Sequence, residues 1–537
     1  MELWGANMKL INKNNIVVFF SIIFVIVGTF FLFPKIILNV NADDLEVLLG
    51  TNFGGDNIET FQKAISTTDG GYIVVGYSYG ASNNLGIHNW GNEGNADGIV
   101  IKFNSDGTIA WAKNCGSTQN DFFYSVTETN DGGYLVVGNS HGLSTNLGGV
   151  GKDWNHVNTG ATADAIAVRL DQNGDIVWSK NYGGNYSDYF SSVITINGEY
   201  IISGYSYSES SNLGGIGKDW NHIGATNTQD GIIAKIDDNG DVIWSKNYGG
   251  NASETFNSLI QTDEGYIVVG HSNGGSNNLG GIGKEWEAIG LNDAIVIKVD
   301  NNGDVIWGKN YGGNLNDYFT DIVVTTDGGL LATGYSFGTS SNIVGNNWGH
   351  EGNESTTDGI VVRLDREGKV LWSKNYGSDF NDFFRSVVKT QDGYIIGGNS
   401  LGVSTNWTNE GNSDGIVLVL DENGQVVWGN NFGSQVNDCF FSIINLSNEE
   451  YAVFGYSRAS SSNLGINKEW GNSGGEDVSE DGIVMLLKTV IVTKHPDPVI
   501  DIRQAPATGN KSNIVEWSVA LAGSIFLIVI ICKKKDD

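Results

Sequence analysis

The feature that most restricts the fold is a period. An apolar run of the form GYIVVG closes on Gly76, Gly138, Gly204, Gly270, Gly334, Gly398 and Gly455, at intervals of 62, 66, 66, 64, 64 and 57 residues. Two further marks recur with it. An Asp followed by Gly or Ala and a β-branched run begins at Asp97, Asp164, Asp230, Asp293, Asp358, Asp414 and Asp481. An acidic residue stands two before a Phe at Glu59, Asp121, Asp188, Glu254, Asp317, Asp382 and Asp438. Self-similarity at this spacing means stacked or radially arranged units that bury their apolar faces against one another.

Within a unit, β-rich apolar runs bounded by Gly, Asn and Asp read as four strands. In the fourth unit these are TFNSLIQT, GYIVVGHS, AIVIKVD and DVIWGKNYG, with NNGD between the last two. Asn-Gly accepts the positive φ angles of a two-residue hairpin turn. Composition agrees, since 75 Gly with only 4 Pro, beside 15 Trp, suits strands and tight turns. The predicted fold is all-β: a seven-bladed β-propeller of four-stranded antiparallel blades over residues 43–494.

The repeated DVIWSKNYGG (Asp241–Gly250) is then a fourth strand and the turn into the next blade. Its Trp recurs at Trp111, Trp178, Trp244, Trp307, Trp372 and Trp428, six copies for seven blades. The missing copy is EVLLGTNFGG near the start, with Leu49 in the Trp place, while the last DGIVMLLK lacks an Asn-Gly turn after it. The N-terminal strand is therefore expected to pair with Gly482–Lys488 and close the ring. The segment DAIVIKVDNNGDVIWGKNYGGNLNDYFTDIVVTTDGGLLATGYS (Asp293–Ser336) resembles the Gly-rich propeller repeats of secreted bacterial proteins, the SBBP-type repeats. That resemblance covers roughly Leu45 to Lys488 and implies a propeller in an extracellular setting, without a single activity.

Both ends are membrane-directed. Lys9 and Lys13 precede an apolar run from Ile16 to Phe33, and Val40 and Ala42 supply the small residues of a signal-peptidase site, so 1–42 reads as a signal peptide cut after Ala42, or as an uncleaved anchor. At the other end, 514–537 reads as a transmembrane helix, Ile514 to Cys532, with a basic stop at Lys533 to Lys535 that favours the cytoplasmic side. Together with Pro506, Ala507, Thr508 and Gly509 in the linker 495–513, this tail resembles the sorting signal of Gram-positive cell-wall proteins. The resemblance implies that a sortase cuts after Thr508 and joins it to peptidoglycan, although Ala505 stands where that motif usually has Leu. A plain single-span membrane anchor is the alternative.

A net charge of −31 argues against nucleic acid, whose phosphates are met by Lys and Arg. Cys115, Cys439 and Cys532 offer neither a disulfide framework nor a zinc site. The units run some 20 residues longer than the roughly 40 a blade of short turns needs, mostly between the second and third strands. Every such loop carries one Trp: Trp90, Trp154, Trp220, Trp286, Trp348, Trp407 and Trp470. A Trp ring on a rigid scaffold stacks on the C–H face of a sugar, so these seven are the candidate ligand-binding residues; the competing role is to pack each loop onto its blade. The acids two before Phe read as turn caps against a cation site, and the DxNGD turns lack EF-hand spacing, so no cofactor is expected and calcium has little support. HExxH does not occur, and no catalytic residue is assigned. The expected function is that of a wall-anchored extracellular adhesion protein binding glycans or surface proteins, against a glycan-active enzyme or a purely structural surface protein.

Overall fold

The computed structural model describes residues 44–490, apart from 93, 144–161, 216–217, 223–227, 280–283, 342–345, 351–354, 448, 462–463, 465–468 and 472–478, together with 517–519 and 528–530. In blade 4 the strands are Glu254–Thr262, Gly265–Ser272, Asp293–Val299 and Val305–Tyr311, each paired antiparallel to the next. Blades 1, 2, 3, 5 and 6, beginning at Glu59, Asp121, Asp188, Asp317 and Asp382, repeat that order. Blade 7 is composite: Asp438–Asn445, Glu450–Ser457 and Asp481–Val490 are completed by Asp44–Phe53 from the start of the chain. Phe53 lies opposite Gly482 and Leu49 opposite Leu486, the register that Tyr248 and Trp244 hold against Gly231 and Lys235. The ring thus closes as the repeat requires, the start of the chain supplying the fourth strand that the last blade lacks.

The repeat marks each have a packing cause. The seven Phe residues, Phe61, Phe123, Phe190, Phe256, Phe319, Phe384 and Phe440, are fully buried between blades. Five of them lie over the Gly after the third-strand Asp of the preceding blade; a Cβ on Gly231 would stand 2.6 Å from the Phe256 ring. A β-bulge follows each Phe, and there the backbone comes so close that a Cβ on Gly204 would meet the Tyr189 carbonyl oxygen at 1.9 Å. The first strands of neighbouring blades touch around the axis, and Lys63 of blade 1 reaches Asp321 of blade 5 at 3.8 Å across it.

The hairpins between third and fourth strands differ from expectation. Gly240 N–H donates to the Asp237 carbonyl at 3.0 Å, and only the Gly has positive φ, at 75°. This is a type I turn followed by a glycine bulge, longer than the expected two-residue turn. The Asp237 carboxylate explains it, accepting the N–H groups of Asn239 at 2.9 Å and Asp241 at 2.8 Å. A two-residue turn with positive φ at both positions is formed by Asn197-Gly198 in blade 3.

The flanking helices expected at the two ends have no support among the described residues, where Trp517–Val519 pairs antiparallel with Ile528–Ile530. Residues 1–42, with Ala42, and the motif residues Pro506, Thr508 and Gly509 lie outside the described residues. Among the described residues no helix is long and apolar enough to cross a membrane.

Candidate binding surface at the propeller axis

Two carboxylates per blade sit beneath the face where the long loops emerge. Each acid before Phe accepts the backbone N–H four residues earlier: Gly55 to Glu59 at 2.9 Å, Ser117 to Asp121 at 2.7 Å, Gly184 to Asp188 at 2.9 Å and Gly250 to Glu254 at 3.0 Å. Gly313, Ser378 and Ser434 do the same for Asp317, Asp382 and Asp438 at 2.8, 2.7 and 2.7 Å. The third-strand Asp accepts the side-chain amide of the fourth-strand Asn, as Asn247 does to Asp230 at 2.7 Å; Asn52 completes the set on Asp481 at 2.6 Å. Burial pushes Glu59, Asp188 and Glu254 up to about 8, and Asp121, Asp317, Asp382 and Asp438 up to about 7, against the N–H and O–H donors that favour the anion. These carboxylates are turn and strand caps.

The loop tryptophans join the same network. Trp90, Trp220, Trp286, Trp348, Trp407 and Trp470 are only 1–4% exposed. The Trp220 indole N–H lies 3.1 Å from Ser206 Oγ and 3.0 Å from the Ser208 carbonyl, and Ser206 Oγ donates to Asp188. Trp90, Trp286, Trp348 and Trp407 reach Ser78, Ser272, Ser336 and Ser400 in the same way. A loop Ser clamps the Trp220 backbone as well, with Trp220 N–H on Ser210 Oγ at 2.8 Å. The six rings are buried, and five of them, Trp90, Trp220, Trp286, Trp348 and Trp407, are bonded through the indole N–H as well, the arrangement expected of the competing role of packing each loop onto its blade. Trp286 borders a cavity of about 530 Å³ between blades 4 and 5, whose Lys309 and Asn310 bond the backbone carbonyls of Glu367 and Glu287. Trp154 lies outside the described residues.

What remains accessible on this face surrounds the axis. The residues beside each buried Phe vary around the ring, and Phe122, Tyr124, Tyr189, Tyr318, Phe383 and Arg385 are half-buried, as are Tyr77, Tyr205, His271 and Tyr335 on the second strands. Tyr77 packs edge-on to Phe122 and beside Tyr79, and Phe122 stacks near Tyr124. Tyr189 stacks on Tyr205 with centroids 4.7 Å apart, and Tyr205 touches Tyr207. Across the axis His271, Tyr318, Tyr335 and Phe383 form a chain of ring contacts. Polar groups are set among them: Asn292 donates to the Tyr318 hydroxyl at 3.1 Å, and Arg458 pairs with Glu480 at 2.5 Å. Exposed Tyr186 and Phe380 stand on the turns of the same face.

These axial residues escape a reading of the repeat because they are its variable positions. The signal was present next to the most regular feature, the buried Phe, where Thr60, Phe122, Tyr189, Thr255, Tyr318, Phe383 and Cys439 occupy one equivalent position.

Compared with protein-family models and with curated proteins, the sequence has no match. Among solved structures, the WD40 domain of Neurospora crassa Pan2 is similar with a TM-score of 0.41 and 9% identity, covering 84% of this chain and 97% of that one. A protein of unknown function from Dyadobacter fermentans gives a TM-score of 0.39 and 11% identity, covering 83% and 99%. The seven-bladed architecture rests on the strand pairing above.

Proposed function

We propose that this chain is an extracellular interaction protein, anchored at a Gram-positive cell wall, that binds a glycan or a surface protein at the aromatic ring set around its propeller axis. One observation carries the reading. The acid and the buried Phe beneath that face recur in all seven blades, whereas the axial position directly after the Phe differs in every blade, being Gln62, Tyr124, Ser191, Asn257, Thr320, Arg385 and Phe441. A single asymmetric ligand site on a symmetric scaffold needs that pattern. The protein is a binder in this reading, because the repeated carboxylates are already committed to N–H donors.

A glycan array and a pull-down from cell-surface extracts test it, comparing the chain with a Tyr205→Ala, Tyr335→Ala double variant. Binding that the double variant loses supports the axial site. Absence of any ligand in both screens removes adhesion as the function. Anchoring is tested apart from binding: Thr508→Ala is expected to release the protein from the wall fraction, and unchanged covalent attachment refutes the sortase reading.

A further inference from the structure

The residue at each first-strand bulge, directly after the buried Phe, is Gln62, Tyr124, Ser191, Asn257, Thr320, Arg385 or Phe441. In three blades it ties neighbours together: Ser191, Asn257 and Thr320 donate to the carbonyls of Phe256, Phe319 and Phe384 at 2.5, 2.7 and 2.8 Å. Arg385 breaks the series. Its guanidinium lies over three aromatic rings instead, 5.6 Å from the Tyr335 centroid, 5.1 Å from Phe383 and 5.7 Å from Phe441. Its Nε is buried with no hydrogen-bond partner.

The charge of Arg385 is equally unanswered. Among the described residues no carboxylate lies within ion-pair distance of it, whereas the other cations near the axis are matched, Lys63 with Asp321 and Arg458 with Glu480. The ionisable group that faces it from blade 7 is Cys439, whose thiol burial pushes up to about 12 and so keeps uncharged. In a chain of net charge −31, a cation held rigid by three rings and left without an acid is a half-built ion pair.

We infer that the axial site takes an acidic sugar, with Arg385 receiving the carboxylate of a uronic acid and the rings of Tyr335, Phe383 and Phe441 lying against its C–H face. This rests on the axial-binding reading above and names its ligand class. A guanidinium matches a carboxylate with parallel N–H donors, and rings that fix it beforehand reduce the ordering cost. A sugar fits better than a peptide strand, since the bulge at Arg385 interrupts the regular edge of the first strand on which a peptide backbone would have to pair. The overall negative charge repels a polyuronate, so the ligand is a single acidic residue in an otherwise neutral glycan.

The test is titration calorimetry of the full, solubilised chain with three probes: a trisaccharide of two neutral hexoses ending in glucuronic acid, its methyl ester, and the same trisaccharide ending in glucose. The acid is expected to bind about 10- to 100-fold more tightly than the other two. Arg385→Gln is expected to erase that preference with the thermal midpoint unchanged, and Arg385→Lys to recover only part of it. Should Arg385→Gln fail to fold, the acid-to-ester ratio on the unaltered chain decides alone. Equal binding of acid and ester, lost in Tyr335→Ala, overturns the carboxylate site and leaves axial binding standing. No binding of any probe, with ligands absent from the array as well, overturns both. Arg385-dependent binding of a Glu-containing peptide without binding of the uronide overturns the sugar assignment.

Discussion

Trp220 illustrates how a residue's role is set by what covers it. Its ring fills the space under a Gly-rich loop and its N–H enters the Ser206 and Asp188 network. Trp220→Phe keeps most of the packing but removes the donor, and is expected to cost about 1–2 kcal/mol. Trp220→Ala opens a cavity and is expected to cost about 3–5 kcal/mol. Urea denaturation of both variants checks this order. If Trp220→Ala left stability intact and abolished ligand binding, the ring would be a contact residue after all. The sequence made the seven loop tryptophans conspicuous, but conspicuous repetition is what packing produces, because every blade has the same loop to hold down. The residues that differ, such as Tyr124, Tyr205 and Arg385, sit where packing makes no common demand.

The element that closes the ring carries a defect that can be repaired. In blade 2, Trp178 donates its indole N–H to the Asp238 carbonyl in the next blade's turn at 2.8 Å and covers Gly240. Trp111 does the same toward Gln172 and Gly174. In the closing strand the equivalent residue is Leu49, 40% exposed, and the equivalent turn glycine, Gly107, has nothing nearer than the Tyr72 hydroxyl at 3.9 Å from an added Cβ. Leu49→Trp is therefore expected to stabilise the protein by about 1 kcal/mol, by covering Gly107 and bonding the turn. A denaturation midpoint that falls in this variant would count against the equivalence of the strands. The pairing of this strand was legible beforehand, since EVLLGTNFGG repeats the fourth-strand pattern and the last unit lacks its own. The form of the hairpins was less so, because the Asp237 side chain, acting on the backbone two and four residues on, lengthens a turn that Asn-Gly alone would make shorter.

At the scale of the whole molecule, seven buried acids make stability depend on pH in a definite sense. Their folded values of about 7 to 8 lie above the ordinary 3.8 and 4.5, so the folded state holds protons that the unfolded chain releases. That contribution is complete below about pH 4 and is lost as pH rises through 7 to 8. Asp131 and Asp327 have the opposite sign: hydrogen bonds from Thr129 and Thr325, with Arg169 and Arg363 beside them, hold both at about 2, and their contribution is lost as pH falls from about 4 toward 2. The thermal midpoint is expected to be highest between about pH 4 and 6 and to decline toward pH 9. A midpoint that is flat or rising over pH 5 to 9 would contradict the burial of these groups. The sequence by itself determined the blade count, the four-strand unit and the ring closure, because a period of Phe, Gly and Asp is a statement about contacts that every blade makes alike. Only the tertiary structure decided which face is available for a ligand. Accessibility is a property of what neighbouring blades bring together around the axis, and burial there took the tryptophans inward and left Arg385 among three rings without an acid.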